Sequence, residues 1–264
     1  MRIYLRELKA NYKSLLIYCG ISLLFMTVGF AKFSAYAENP ELLAILDSMP
    51  QAMLDAFSMN AFNLTTITGF FGVMYVFIGL ILSIAAVMWG SDIISKEERD
   101  KTVEFSLTLP IKRSTLITAK TAAVLTNCIV LALVTWGIVL INTARYNPDA
   151  EFYNFVSLGM VSLFIMQGIF LAVGILLGSA MKKHKNAGSV AVSLLLGTYF
   201  ISVIAGLNED FGFLKYFTPF KYFDPASMLH ESKIDLPFVW LSIGIIAVSL
   251  VGAYVTYSKR DLYI

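Results

Sequence analysis

The chain has 264 residues, of which 58% are hydrophobic and 14% charged, with a formal net charge of +2. Soluble domains carry roughly 25% charged residues, so lipid rather than water must be the solvent for most of this surface. The length suits a single membrane domain, residues 1–264, and the net charge is too small to imply nucleic acid as a partner, so none is expected.

The first element is a basic, amphipathic start. Arg2 to Ser14 places Ile3, Leu8 and Tyr12 roughly on one helical face, with Arg2, Arg6, Lys9 and Lys13 elsewhere. Such a helix lies along the membrane interface before it turns into the first span. The apolar run from Leu15 to Ala31 is longer than a signal-peptide core and is read as that span.

A spanning helix needs about 20 mostly apolar residues. Six stretches qualify, approximately 15–36, 64–90, 117–141, 155–181, 187–207 and 238–257. They predict an all-α integral membrane protein, because a helix satisfies its own backbone in lipid. Between the first two spans, Leu42, Leu46, Met49, Met53 and Phe57 follow three-and-four spacing and predict a further helix outside the membrane.

Direction follows from the cations. Fifteen Lys and Arg residues fall on one set of segments: both termini, the 91–120 region and the Lys182–Lys185 turn. Five fall on the other, at Lys32, Arg145, Lys215, Lys221 and Lys233. The positive-inside rule therefore expects both termini in the cytoplasm of a multi-pass cell-membrane protein. Trp89 and Trp240 fall near span ends, where interfacial anchors are expected.

The segment between spans 2 and 3 carries the strongest functional signal. Ile94 to Leu107 predicts a short charged helix with Val103 and Leu107 on one face. Pro110 ends it, and Ser114 is placed to cap the next helix. A helix this polar with one small apolar face needs a protein partner.

In the fourth span Gly174 and Gly178 form G-x-x-x-G, which permits close helix packing within the chain or between subunits. Membrane-embedded charge is absent from the cores of the last five spans. Neutral polar residues such as Asn127, Thr135, Gln167, Ser193, Thr198 and Ser202 take its place, expected mostly to bond neighbouring helices. Asn127, Gln167 and Thr198 are candidate translocation-path residues. Ion-coupled carriers need ionisable groups at depth, so the pattern favours an amphiphilic, peptide or lipid-like cargo. Cys19 and Cys128 read as buried thiols, and His184 and His230 lack the neighbours of a metal site.

The stretch around Thr102-Val103-Glu104, closing in Leu109-Pro110 and followed by Arg113 and Lys120, resembles the loop between helices 2 and 3 of ABC-2 type transporter permeases. The segment from Thr218 to Leu229, with its Pro-Phe and Asp-Pro, and the basic tail Tyr257 to Asp261 are also similar to that family. The resemblance implies an exporter-like permease whose coupling helix docks on a separate ATP-binding subunit. Glu97, Glu98, Arg99, Thr102, Val103, Glu104, Leu107, Pro110 and Arg113 are the implied docking residues. Lys101 stands where many members have Gly.

It further implies a second permease subunit, identical or related, and no cofactor in this chain, ATP and Mg being bound by the partner. The chain carries no G-x-x-x-x-G-K-[ST] phosphate loop and no expected catalytic residue. Competing readings are a sensory or resistance subunit that binds an antimicrobial without moving it, an importer permease, and an intramembrane protease. The last is suggested by Glu97-Glu98 alone, without a matching His or Ser arrangement.

Overall fold

The computed structural model describes residues 2–37, 54, 62–99, 112–181, 186–207 and 209–259. Among them the elements are α1 (Arg2–Tyr36), α2 (Ile67–Arg99), α3 (Arg113–Thr143), α4 (Ala150–Ala180), α5 (Ala187–Leu207), a short α6 (Pro225–Glu231) and α7 (Leu236–Lys259). Three 3-10 segments, Ala144–Tyr146, Glu209–Phe217 and Pro219–Lys221, link them. No strand occurs among the described residues. All six expected spans are present: α1, α2, α3, α4, α5 and α7 are each long and apolar enough to cross a membrane. The helix expected around Leu42 to Phe57 lies outside the described residues except for Leu54.

Five of these helices outrun the bilayer. At 1.5 Å per residue, the 35-residue α1 is roughly 50 Å long, against a hydrocarbon core of about 30 Å. Arg2–Ser14 is helical as expected, but it continues straight into the span without the turn expected near Ser14. The first 19 residues contain neither Gly nor Pro to break the hydrogen-bond ladder.

α2 and α4 form the centre of the bundle. In their most apolar windows 67% and 61% of residues are buried, against 17% for α1, α5 and α7, whose outer faces are left for lipid. The central pair runs parallel and touches backbone to backbone. A Cβ built on Gly90 would lie 2.4 Å from the Leu171 carbonyl oxygen, one on Gly174 2.5 Å from that of Val87, and one on Gly178 2.5 Å from that of Ser91. The G-x-x-x-G motif thus packs within the chain, on α2. Side-chain-free positions on both helices are what allow this approach.

One end of the bundle gathers the start of α1, the end of α2, the start of α3, the end of α4, the start of α5 and the end of α7, with Arg6, Lys96, Arg113, Lys120 and Lys259 among its residues. We call it the basic end. At the far end, aromatic rings lock the helices. Phe71 of α2 meets Phe152 and Phe155 of α4 edge-on at 5.9 and 5.5 Å. Arg145 Nη2 and the Tyr146 hydroxyl both donate to the Phe30 carbonyl, at 2.8 and 2.9 Å, fastening α3 to α1.

The Thr218–Leu229 segment folds back over the bundle. Phe220 packs against Phe170 of α4 and Tyr199 of α5, at 5.4 and 5.5 Å. Tyr222 stacks on Phe238 at 5.2 Å and donates from its hydroxyl to the Tyr216 carbonyl. Asp224 caps α6 by accepting from the Ser227 backbone N–H, with Pro225 in the first turn. The Pro-Phe and Asp-Pro of the sequence are therefore a folded cap on the far end.

Candidate functional site at the basic end

The segment expected to dock a partner joins α2 to α3, and both flanks are described. Glu97, Glu98 and Arg99 are the last residues of α2, whereas Thr102, Val103, Glu104, Leu107 and Pro110 lie outside the described residues. α3 begins at Arg113. Its N-cap is Lys112, without a side-chain bond, so the cap expected from Ser114 does not form. Ser114 sits inside the first turn, and its carbonyl accepts from Thr118 Oγ1 at 2.9 Å.

The start of α3 is a hub. Arg113 Nη1 donates to the carbonyls of Tyr257 and Ser258, at 3.3 and 3.4 Å. There a guanidinium meets the negative end of the α7 dipole. Thr118 Oγ1 and the Tyr254 hydroxyl share a 2.7 Å hydrogen bond, again joining α3 to α7. Tyr4 of α1 reaches Thr126 at 3.0 Å. Of the expected docking residues, Arg113 is therefore also engaged in the fold.

At the same end of the bundle lies a buried ionic cluster. Glu7 of α1 is 1% exposed, as is Lys120 of α3. Lys96, one turn from the end of α2, donates through Nζ to Glu7 Oε2. Arg6 Nη2 pairs with Glu7 Oε1 at 3.1 Å. Lys120 Nζ donates to the Ile93 carbonyl of α2 at 3.0 Å, and its charge acts on Glu7. Burial alone would push the Glu7 carboxyl up. The hydrogen bond and charge of Lys96, the charge of Lys120 and the bond from Arg6 outweigh it and hold the group below its ordinary value.

Beside the cluster a cleft of about 680 Å³ opens between α1, α2 and α5. Asn11, Ser14, Asp92, Ser95 and Ser189 give it polar walls, while Tyr18, Trp89 and Val192 give it apolar ones. Trp89 is 4% exposed and donates its indole N–H to Ser14 Oγ at 2.8 Å. Its ring meets Tyr18 edge-on at 5.4 Å. It is thus a packing residue of the cleft wall rather than the expected interfacial anchor, because α1 crosses directly over it. Trp240, 69% exposed, is free to serve as one.

The three candidate path residues stand on three different helices. Asn127 on α3 and Gln167 on α4 are buried at 2% and 0% exposure. The Asn127 amide nitrogen and both polar atoms of Gln167 find no hydrogen-bond partner among the described residues, and neither does Thr135 Oγ1. Thr198 and Ser202 do not bond to neighbouring helices as expected. Each hydroxyl returns to its own helix, at the carbonyls of Leu195 and Tyr199, the usual recourse of a short hydroxyl side chain in an apolar helix. Sequence reasoning missed the cleft residues Ser14, Tyr18 and Asp92, which line one cleft only once α1 is laid against α2.

The model of the family described as ABC-2 family transporter protein matches residues 1–262. This chain belongs to the ABC-2 transporter family. It is accordingly a multi-pass ABC-transporter permease, a transport subunit rather than a catalytic one. ABC-2 permeases generally work with a separate ATP-binding subunit. No curated protein matches the chain.

Proposed function

We propose that this ABC-2 permease is the membrane half of an ATP-driven exporter of an amphiphilic, peptide or lipid-like substrate, taken up at the basic end. The cleft between α1, α2 and α5 carries this reading. Its mixed lining suits a molecule with a polar head and an apolar body: Asn11, Ser14, Asp92 and Ser189 can hydrogen-bond a head, and Tyr18 and Trp89 offer ring faces. Lipid-facing spans border it on both sides, so a substrate reaches it from within the leaflet.

ATP and Mg are held by a separate subunit that docks on the 97–113 segment, and two permeases pair to form the pathway. The protein sits in the cell membrane with the basic end and both termini in the cytoplasm, as the fifteen-to-five cation asymmetry supports. Nucleotide-driven movement of the docked subunit reaches the spans as a rigid-body shift.

The test is purification of the complex in mild detergent, reconstitution into vesicles and measurement of ATP-dependent movement of a fluorescent lysophospholipid. A stoichiometric ATP-binding protein and ATP-dependent flux are expected. A chain that purifies without an ATP-binding companion refutes the reading. A companion whose ATP turnover responds to the lysophospholipid without moving it points instead to a sensory or resistance subunit.

A further inference from the structure

We propose that Glu7 is a positioning residue for energy coupling: with Lys96 and Lys120 it forms a buried ionic joint that fixes both flanks of the docking segment to α1. The three charges come from three helices. Lys96 lies in the last turn of α2, just before the 97–113 segment, Lys120 stands seven residues after that segment on α3, and Glu7 lies in α1, 89 positions from Lys96. A carboxylate with 1% exposure and a lysine with 1% exposure are costly to bury. They are held here by each other's charge, by Lys96, by Arg6 and by the Ile93 carbonyl.

The joint has a mechanical meaning. A push on the docking segment is applied to the ends of α2 and α3. If those ends slid independently, the push would be spent at the loop. Lys120 ties α3 to α2 through the Ile93 carbonyl and Glu7 ties α1 to α2 through Lys96, so the three helices move together. Since α1 supplies Asn11, Ser14 and Tyr18 to the cleft, movement at the docking segment reaches the cleft wall. Neutralising Glu7 leaves Lys96 without its counter-ion, so α1 is released from the two flanks.

This inference rests on the proposed docking role of the 97–113 segment, and its test has one arm that does not. In the purified chain in nanodiscs, spin labels go on Leu5, which is 51% exposed, and on exposed Lys112. Wild type is expected to give one narrow distance, lost to a broad distribution in Glu7→Gln. An unchanged distribution overturns the joint. Should Glu7→Gln not fold, Glu7→Asp, which keeps the charge and shortens the reach by one methylene, serves in its place with the same two outcomes.

In the second arm the ATP-binding companion is present. Glu7→Gln is expected to retain the companion while the flux per ATP falls about tenfold. A wild-type ratio overturns the proposal. Lys96→Arg, which keeps a cationic donor, is expected to retain both the narrow distance and the ratio; impairment equal to that of Glu7→Gln would also overturn it. Absence of any companion sinks the exporter reading and leaves the distance measurement to decide the joint.

Discussion

Lys120 Nζ on α3 donates a 3.0 Å hydrogen bond to the backbone carbonyl of Ile93, 27 positions earlier on α2. The bond ties the end of α2 to the start of α3, so the chain leaves one helix and enters the next through one polar knot. A lysine this deeply buried has its ammonium fully committed to partners. Replacing Lys120 by Ala removes one member of the ionic cluster and leaves Glu7 with fewer counter-charges.

Removal of one partner from a buried ionic group costs about 3–5 kcal/mol. Lys120→Ala is therefore expected to lower stability by about 3 kcal/mol, read as a fall in the thermal unfolding midpoint in detergent. The paired change Lys120→Met with Glu7→Gln should recover part of that loss, since the two charges left, Lys96 and Arg6, are the members of the cluster nearest to solvent. A double variant no more stable than Lys120→Ala would show that the charges are not coupled.

The α2–α4 seam predicts a sharp contrast among glycines. Gly174→Ala sets a methyl 2.5 Å from the Val87 carbonyl oxygen and must push the helices apart. A loss of about 2–3 kcal/mol, or failure to fold, is expected. Gly137→Ala and Gly244→Ala meet nothing within 4 Å and should gain up to about 1 kcal/mol from helix propensity. Unfolding midpoints of the three variants, measured side by side, check the contrast.

The depressed Glu7 carboxyl gives a pH dependence with a definite sign. The folded state binds the proton less readily than the unfolded chain, so the stabilising contribution is present above the ordinary value of 4.5 and is lost as pH falls through the lower folded value. Wild-type stability should hold at pH 5 and decline below 4.5. Glu7→Gln should lack that component of the decline. Unfolding curves across this window decide it.

Val103→Ala combined with Leu107→Ala removes the apolar face expected to dock the ATP-binding subunit. The spans should fold as before, by circular dichroism and unfolding midpoint, while ATP turnover no longer drives flux in vesicles. Normal flux in the double variant would move the docking site elsewhere.

The spans and the family were legible because each rests on local signals: some 20 apolar residues in a row, a cation asymmetry, and short motifs in a fixed order. Arg113, picked out for docking, is the first residue of α3 and bonds the end of α7. The burial of Glu7 and Lys120 was not legible. Lys120 reads as the last cation of the connection and Glu7 stands out in no pattern, and only the laying of α1 across α2 and α3 covers them. Trp89 misled for the same reason: its position near a span end suggests an anchor, and the packing of Ser14 and Tyr18 over it is decided by residues more than 70 positions away. The hydroxyls of Thr198 and Ser202 show the opposite limit. Their own helix satisfies them, so a polar residue in a span is a poor pointer to its neighbours.

The glycine seam sets how the permease can deform. Where side chains meet, a rotamer change can absorb a displacement; where main chain rests on main chain, nothing soft lies between. α2 and α4 are thereby keyed like two splined shafts. Any twist delivered at Lys96 arrives at the rings of Phe71, Phe152 and Phe155, about 25 residues of helix away, and the far end of the bundle is obliged to turn with the basic end.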